Sequence, residues 1–438
     1  MDQQIQQAVE IALLGTSDPA LKNQAITFIT EVKATEQGYK KCVDLLLDSS
    51  LKGNVFSEGL KFFILLVIDE NIERLSPEQL FALDASLFKY LENVLLKGND
   101  SDPVFLKNKF ADILCRLFCH VYPLLNVSFL SNLLLSVQSK NIASIDYYLR
   151  VLIAIHFEIG DKLIARADGA QDRNNRLKDL IRDRDMVALV SSWKIILLEF
   201  KDPVIADNCL KVIGYYIDWM EITLFIQKDF LDDIYGLLYN TDLRIQVCST
   251  IIEIISKKMK PANKLQLINL MDLASVVSSL DDSDLDFIEN LAKLSNQIGL
   301  ELSVVLENEP LLLLEVNTHF LKLWPTVLDF LGNEYDDISQ QVFPFIQQYL
   351  FVAKKVSALA SDDLLLSLLK KIIDKMKHDV DSFDMEDEDE QLFEIRRKLK
   401  TFQDTIAGLH PALYLEIVPM IVNSSIFSVL STPSINDW

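Results

Sequence analysis

The sequence predicts an all-α protein, a right-handed α-solenoid superhelix of about nine to ten helical-hairpin repeats. Three observations carry that expectation. Apolar residues recur at helical spacing along nearly the whole chain, without convincing strand alternation. Only 12 glycines and 12 prolines occur in 438 residues, and no Gly/Pro/Ser-rich linker divides them. Finally, a helix-opening Asp-Pro dipeptide appears three times, each followed by a similar apolar pattern.

The helical spacing is clearest over 102–122. Leu106, Phe110, Ile113, Leu114, Leu117, Phe118 and Val121 form one stripe, and Lys109, Asp112, Arg116 and His120 another. The same reasoning pairs helix 2–14 with 19–34, 37–49 with 55–73, 77–97 with 103–122, and 127–139 with 144–165. Then follow 185–199 with 203–222, 224–239 with 242–259, 262–279 with 284–306, 311–331 with 335–358, and 362–377 with 390–408, before a further helix near Pro411.

The Asp-Pro starts are at Asp18, Asp102 and Asp202. An Asp carboxylate accepts a free backbone N–H of the first helical turn, and Pro suits the next position because its N–H is not needed there. Apolar residues fall three, eight and eleven places on: Leu21, Ile26 and Ile29; Phe105, Phe110 and Ile113; Ile205, Leu210 and Ile213. The first two starts lie 84 residues apart, two periods of about 42, the length of HEAT or armadillo-like repeats. The next gap is 100, and polar Asp161–Asp185 reads as the inserted excess. One helix pair cannot bury its apolar face alone, whereas stacked neighbours bury it and leave an extended surface for partners.

Composition narrows the function classes. Apolar runs such as Phe62–Ile68 are too short to span a bilayer, and the N-terminus lacks the order of a signal peptide, so no membrane association is expected. The five cysteines (42, 115, 119, 209 and 248) sit in apolar helical runs, as core thiols in a reducing compartment. Cys115, Cys119 and His120 are close enough on a helix to suggest a metal, but a fourth ligand at sensible spacing is missing, so none is expected. A net charge of −22 disfavours a general nucleic-acid coat and suits a basic protein partner; local basic patches can still meet phosphates. Phosphate loops, GxSxG elbows and HExxH motifs are absent, so no enzyme is expected.

Three segments are candidates for function. Eight carboxylates between Asp379 and Glu390 predict an acidic loop over 378–390, either merely solvated or gripping a basic protein; calcium is a weaker option because EF-hand spacing is missing. The insertion carries Lys162, Arg166, Arg173, Arg176, Lys178, Arg182 and Arg184 among aspartates, either as a salt-bridged exposed helix or as a phosphate-reading patch, for which Arg173, Arg176 and Lys178 are close enough to share a surface. Ser256–Lys260 and Arg396–Lys400 offer similar patches. The third is the polar face of the early second helices, with Gln24, Thr27 and Glu31 on one and Lys109, Asp112 and Arg116 on another.

Phe105–Pro123, "FLKNKFADILCRLFCHVYP", resembles the third-repeat signature of exportins in the importin-β (karyopherin-β) superfamily, where a helix of the form I-[RK]-N-K ends near a Tyr/Trp-Pro. Arg173–Trp193 and Glu386–Phe402 resemble the tRNA exportins, exportin-t, where an acidic segment precedes F-x-x-[YI]-R-[RK]-x-L-K. Family members are about twice as long, and the chain stops at "SINDW", so the resemblance implies an N-terminal portion.

The resemblance implies a nuclear export receptor that binds mature tRNA cooperatively with GTP-bound Ran and releases both in the cytoplasm after GTP hydrolysis. The chain then needs no cofactor of its own, GTP being carried by Ran. It implies Ran on repeats within 1–160, near Gln24, Glu31, Lys107, Lys109 and Arg116, with a second contact at the acidic loop through Asp384, Glu386, Asp387 and Glu388. It places cargo on 161–438, with tRNA phosphates on Arg173, Arg176, Lys178, Arg396, Arg397 and Lys400. Nuclear-pore FG-repeat proteins, a monomeric carrier and shuttling between nucleus and cytoplasm follow from the same resemblance. The alternatives are a karyopherin for another cargo and a static HEAT scaffold.

Overall fold

The computed structural model of the chain describes residues 2–14, 18–52, 57–97, 102–166, 169–280, 284–376 and 386–424. These are helical almost throughout, with no strand among them. The helices form two compact units, Met1–Phe225 and Ile226–Trp438. Each is a stack of helix pairs, the HEAT-like solenoid architecture expected.

In the first unit α1 (Asp2–Leu14) pairs with α2 (Pro19–Ala34), α3 (Glu36–Lys52) with α4 (Glu58–Asn71), α5 (Pro77–Lys97) with α6 (Val104–Val121), and α7 (Phe129–Gln138) with α8 (Ile142–Ile155). A π-helical turn, His156–Gly160, follows, then α9 (Ala170–Arg184) and the pair α10 (Met186–Glu199) and α11 (Pro203–Ile217). The second members, α2, α4, α6, α8 and α11, touch one after another and form one layer. Phe110 of α6 shows how adjacent pairs share a core: its ring lies 5.2 Å from Tyr90 of α5 and 5.6 Å from Tyr147 of α8. Each such fully buried side chain contributes about 1.5–3 kcal/mol.

In the second unit α12 (Lys228–Gly236) precedes α13 (Arg244–Ser256), and α14 (Pro261–Met271) with α15 (Leu273–Ser278) covers α16 (Leu285–Asn308). Then come α17 (Leu313–Leu331), α18 (Asp336–Gln340), α19 (Phe343–Lys355), α20 (Asp362–Lys375), α21 (Glu386–Leu409) and α22 (Pro411–Val422). Here α13, α16, α19 and α21 touch in succession. Phe320 and Trp324 of α17 pack on Phe345 and Tyr349 of α19. Gly299 lets α16 meet α19 closely, since a Cβ there would stand 2.3 Å from the Phe345 ring.

Two of the three Asp-Pro starts cap as expected. Asp18 accepts from Ala20 N at 2.9 Å and Leu21 N at 3.3 Å, and Asp202 from Val204 N at 3.0 Å and Ile205 N at 3.1 Å. At the third, Pro103 holds the cap position, and the Asp102 carboxylate accepts from Lys61 Nζ of α4 at 2.5 Å. The apolar pattern buries fully only in α11; Leu21 and Ile26 of α2 and Phe105 of α6 are exposed.

Other boundaries differ for local reasons. The helix expected over 144–165 ends at Ile155 and gives way to the π-turn. The insertion contains α9, because Asn174, Leu177 and Ile181 lie on one face and bury it. The helix expected over 262–279 breaks at Asp272, whose φ of 42° is left-handed. The acidic loop expected over 378–390 is corrected at its end, where 386–390 is already helical within α21; 377–385, with Asp384, lies outside the described residues. Acidic residues in a first turn suit the positive end of a helix dipole.

Candidate interaction surfaces

Along α4, α6 and α8 the first unit carries a ladder of ion pairs. Lys109 Nζ of α6 lies 2.5 Å from Asp69 Oδ2 of α4, and Arg116 NH1 3.2 Å from Asp69 Oδ1. Lys107 Nζ lies 3.1 Å from Asp146 Oδ2 of α8, whose other oxygen takes Arg150 Nε at 2.7 Å. Arg150 also donates to Asn108 Oδ1 at 2.7 Å. Nearby, Lys33 of α2 meets Glu70 of α4 at 2.7 Å. Asp69 and Asp146 are buried, so each needs its cations to offset lost hydration. Burial also pushes the Asp112 carboxyl above its usual range.

The structure therefore brings Lys107, Lys109 and Arg116 together on one helix and commits both lysines to carboxylates of neighbouring helices. Arg116 keeps about half its side-chain surface open, at 51%. Gln24 and Glu31 of α2 are exposed. Glu386, Asp387 and Glu388 belong to the helical start of α21 in the other unit. Sequence reasoning missed Asp69 and Asp146. Their signal was the spacing: the bonds to Lys109 and Lys107 span 40 and 39 residues, about one repeat.

The insertion is tied to the π-turn by arginines. Arg166 donates through Nε to Glu158 O (2.8 Å), through NH1 to Asp161 O (2.5 Å) and Ile164 O (3.1 Å), and through NH2 to Phe157 O (2.7 Å). Gly169, with φ of 85°, turns the chain into α9. Arg173 pairs with the Glu158 carboxylate and donates to Asn174 Oδ1 at 3.0 Å, while buried Asn174 donates to Glu158 O at 2.8 Å. Arg176 is exposed. Lys178 is half-buried, and burial followed by the charges of Arg182, Lys162 and Arg166 pulls its ammonium below the usual lysine range.

The remaining basic candidates lie in the second unit. Arg396 of α21 is half-buried with its Nε enclosed and lacking a hydrogen-bond partner among the described residues. Arg397 pairs with Glu394 at 3.2 Å, and Lys400 is exposed. Ser256–Lys260 links α13 to α14.

Four of the five thiols, Cys42, Cys115, Cys209 and Cys248, are buried and resist ionisation. Burial pushes Cys42 and Cys248 up to about 12 and Cys209 higher still, and Cys115 rises through its hydrogen bond with Cys119 and through burial. His120 faces Glu73 at 3.4 Å instead of the thiols. Among the described residues no three His, Cys, Asp or Glu side chains converge as a ligand set. Nor is any described helix long and apolar enough to cross a membrane.

Comparison with known proteins gives these surfaces a context. A family model described as Exportin 1-like protein matches residues 103–251, starting at the α6 signature, and one described as Exportin-T matches 314–438. Exportin-T of Debaryomyces hansenii is 53% identical over 446 aligned residues, covering 100% of this chain and 44% of that protein. Exportin-T of Scheffersomyces stipitis is 52% identical over 98% of the chain and 43% of its own length, and that of Yarrowia lipolytica 35% over 100% and 48%. The chain thus spans less than half the length of these relatives, matching the N-terminal part. The exportin-t resemblance read from the motifs is borne out.

Proposed function

We propose, for a chain similar along its whole length to exportin-T, that it serves as the N-terminal part of a nuclear export receptor for tRNA. It binds mature tRNA cooperatively with GTP-bound Ran and shuttles between nucleus and cytoplasm. The observation that carries this is the 53% identity to an exportin-T across all of the chain. A stack of helix pairs supports it physically, since it offers a long surface on which two macromolecules sit at once. When both ligands favour one curvature, the first lowers the cost of binding the second, and the coupling is reciprocal.

In this reading Ran meets the polar faces of α2 and α6, at Gln24, Glu31 and exposed Arg116, with Lys107 and Lys109 holding the surface in place. Asp384, Glu386, Asp387 and Glu388 add a contact to a basic patch of Ran. The tRNA backbone meets the basic residues of α9 and α21, read by shape and phosphate rather than base sequence. Hydrolysis belongs to Ran, so the chain supplies binding and no catalytic residue or cofactor. FG-repeat proteins of the pore carry the complex, with one receptor chain in each.

A pull-down with Ran locked in its GTP or GDP form tests the transport reading. Selective capture of the GTP form is expected, and equal capture of both rejects it in favour of a scaffold. A gel shift with tRNA and Ran–GTP then tests the cargo. A complex that accepts protein cargo but no tRNA assigns the chain to another karyopherin.

A further inference from the structure

We infer that the cleft between α5 and α7 is a binding site for a small amphiphilic zwitterion, a molecule with an ammonium and a carboxylate at one end and an apolar body at the other. The tRNA and Ran reading places its residues on α2, α6, α9 and α21, so the two stand or fall separately.

The cleft follows from how the two helices meet. Phe88 of α5 and Phe129 of α7 pack edge to face, with ring centroids 5.1 Å apart. Beside that contact α5 and α7 leave a cavity of about 800 Å³. That lies within the range of about 300–1,000 Å³ common to small-molecule sites. Phe88, Leu91 and Leu135 give it apolar walls. Leu91 is buried, whereas Leu135 is 57% exposed and stands at the mouth.

Ser136 of α7 places a polar atom inside. The residue is only 3% exposed and lines the cavity, yet its hydroxyl has no hydrogen-bond partner among the described residues. The hydroxyl is not sealed into the packing either, so the cavity is the space it opens on. A buried hydroxyl left unmatched costs free energy that a ligand atom recovers. Ser139 and Asn141, also on the lining, are already committed to the start of α8, where Asn141 accepts from Ala143 N at 2.9 Å and donates its own N–H to Ser139 Oγ at 3.3 Å.

The charge at the mouth selects the head group. Lys89 and Glu92 of α5 both line the cavity, both are exposed, and neither has an ion-pair partner among the described residues. They stand three residues apart, about 4.5 Å along the helix axis, on one face. The order Lys before Glu is the weaker one for pairing along a helix, which leaves both available. A net anion meets the repulsion of a chain of charge −22, and a simple cation leaves Lys89 unmatched. A zwitterion satisfies Lys89 with its carboxylate and Glu92 with its ammonium, while its apolar body fills the space between Phe88, Leu91 and Leu135.

The test is a fluorescence titration of this chain with Nε-dansyl-lysine, which carries both charges on one end and an aromatic body on the other. Dansyl amide, with the body alone, is the control, and circular dichroism checks folding. Saturable one-to-one binding of dansyl-lysine is expected, with dansyl amide weaker. Lys89→Met and Glu92→Gln should each weaken dansyl-lysine by about threefold to fivefold and leave dansyl amide unchanged. Ser136→Ala should weaken both probes by about threefold. Leu135→Asp, a change at an exposed side chain, should abolish both. Absence of saturable binding overturns the site, as does equal affinity for the two probes or an unchanged affinity in Lys89→Met and Glu92→Gln. A phenylalanine–glycine peptide that binds the cleft with the same affinity in wild type and in those two variants, while dansyl-lysine does not bind, assigns the cleft to a protein partner and overturns the small-molecule site.

Discussion

The Tyr122 hydroxyl donates to the Asp185 carboxylate at 2.5 Å, joining residues 63 positions apart, both buried. Tyr122 closes α6, and Asp185 stands between α9 and α10. The bond therefore fastens the far end of the insertion to the repeat stack, as Arg166 and Asn174 fasten the near end.

Tyr122→Phe should cost about 1–3 kcal/mol, because it leaves a buried acceptor without its donor. Burial already raises the Asp185 pKa, and the Tyr122 hydrogen bond partly opposes that rise. Removing the hydroxyl raises it further. A raised carboxyl favours the folded state only while protonated, so the variant's deficit should widen as pH increases. Urea unfolding at pH 5 and pH 8 reads this directly; an equal deficit at both would show that the hydroxyl does not act on Asp185.

The bond between Lys109 and Asp69 is predicted to be structural before it is functional. Lys109→Met should destabilise the chain by about 3 kcal/mol, since the buried Asp69 loses one of its two cations. Lys109→Met combined with Asp69→Leu should recover most of that loss, the signature of a coupled pair. Arg116→Ala, at a half-exposed side chain, should cost well under half as much. Any loss of Ran capture in Lys109→Met has to be compared with this stability cost, whereas loss in Arg116→Ala reports the surface itself.

What the sequence made legible followed distance along the chain. The caps at Asp18 and Asp202 are chemistry within three residues, and both form. The stripe of α6 is legible from Leu106 to Val121 because burial follows helical spacing there. Ile26 satisfies the same pattern yet is exposed, on a face of α2 left open by α1, α3 and α4, the helices it packs on. Arg173 is legible as a basic helix residue but not as the partner of Glu158, because the π-turn between them has no plain sequence signature. The lysines of α6 look like an open surface because their carboxylates lie a whole repeat away. Opposite charges spaced at one repeat are the pattern that exposes them.

Two titratable groups, one buried and one half-buried, should give the stability profile opposing slopes. Asp84 of α5 accepts from Asn126 at 2.7 Å, but its Oδ1 is enclosed without a hydrogen-bond partner among the described residues, and burial pushes its pKa up from 3.8 to about 6. The folded state thus holds a proton that the unfolded chain has released, and stability falls as pH rises from about 4 through 6. His156 of the π-turn stacks on Tyr215 at 4.5 Å, and burial lowers its pKa from 6.5 to about 4. Its contribution is present above pH 6.5 and is lost as pH falls toward 4. Asp84→Asn should therefore gain about 2 kcal/mol at pH 7.5 and almost nothing near pH 4, while His156→Phe should flatten the acid side of the profile. Urea midpoints at pH 4.5, 6 and 7.5 separate the two. A gain in Asp84→Asn that is the same at every pH would mean that the benefit is packing rather than removal of a buried charge.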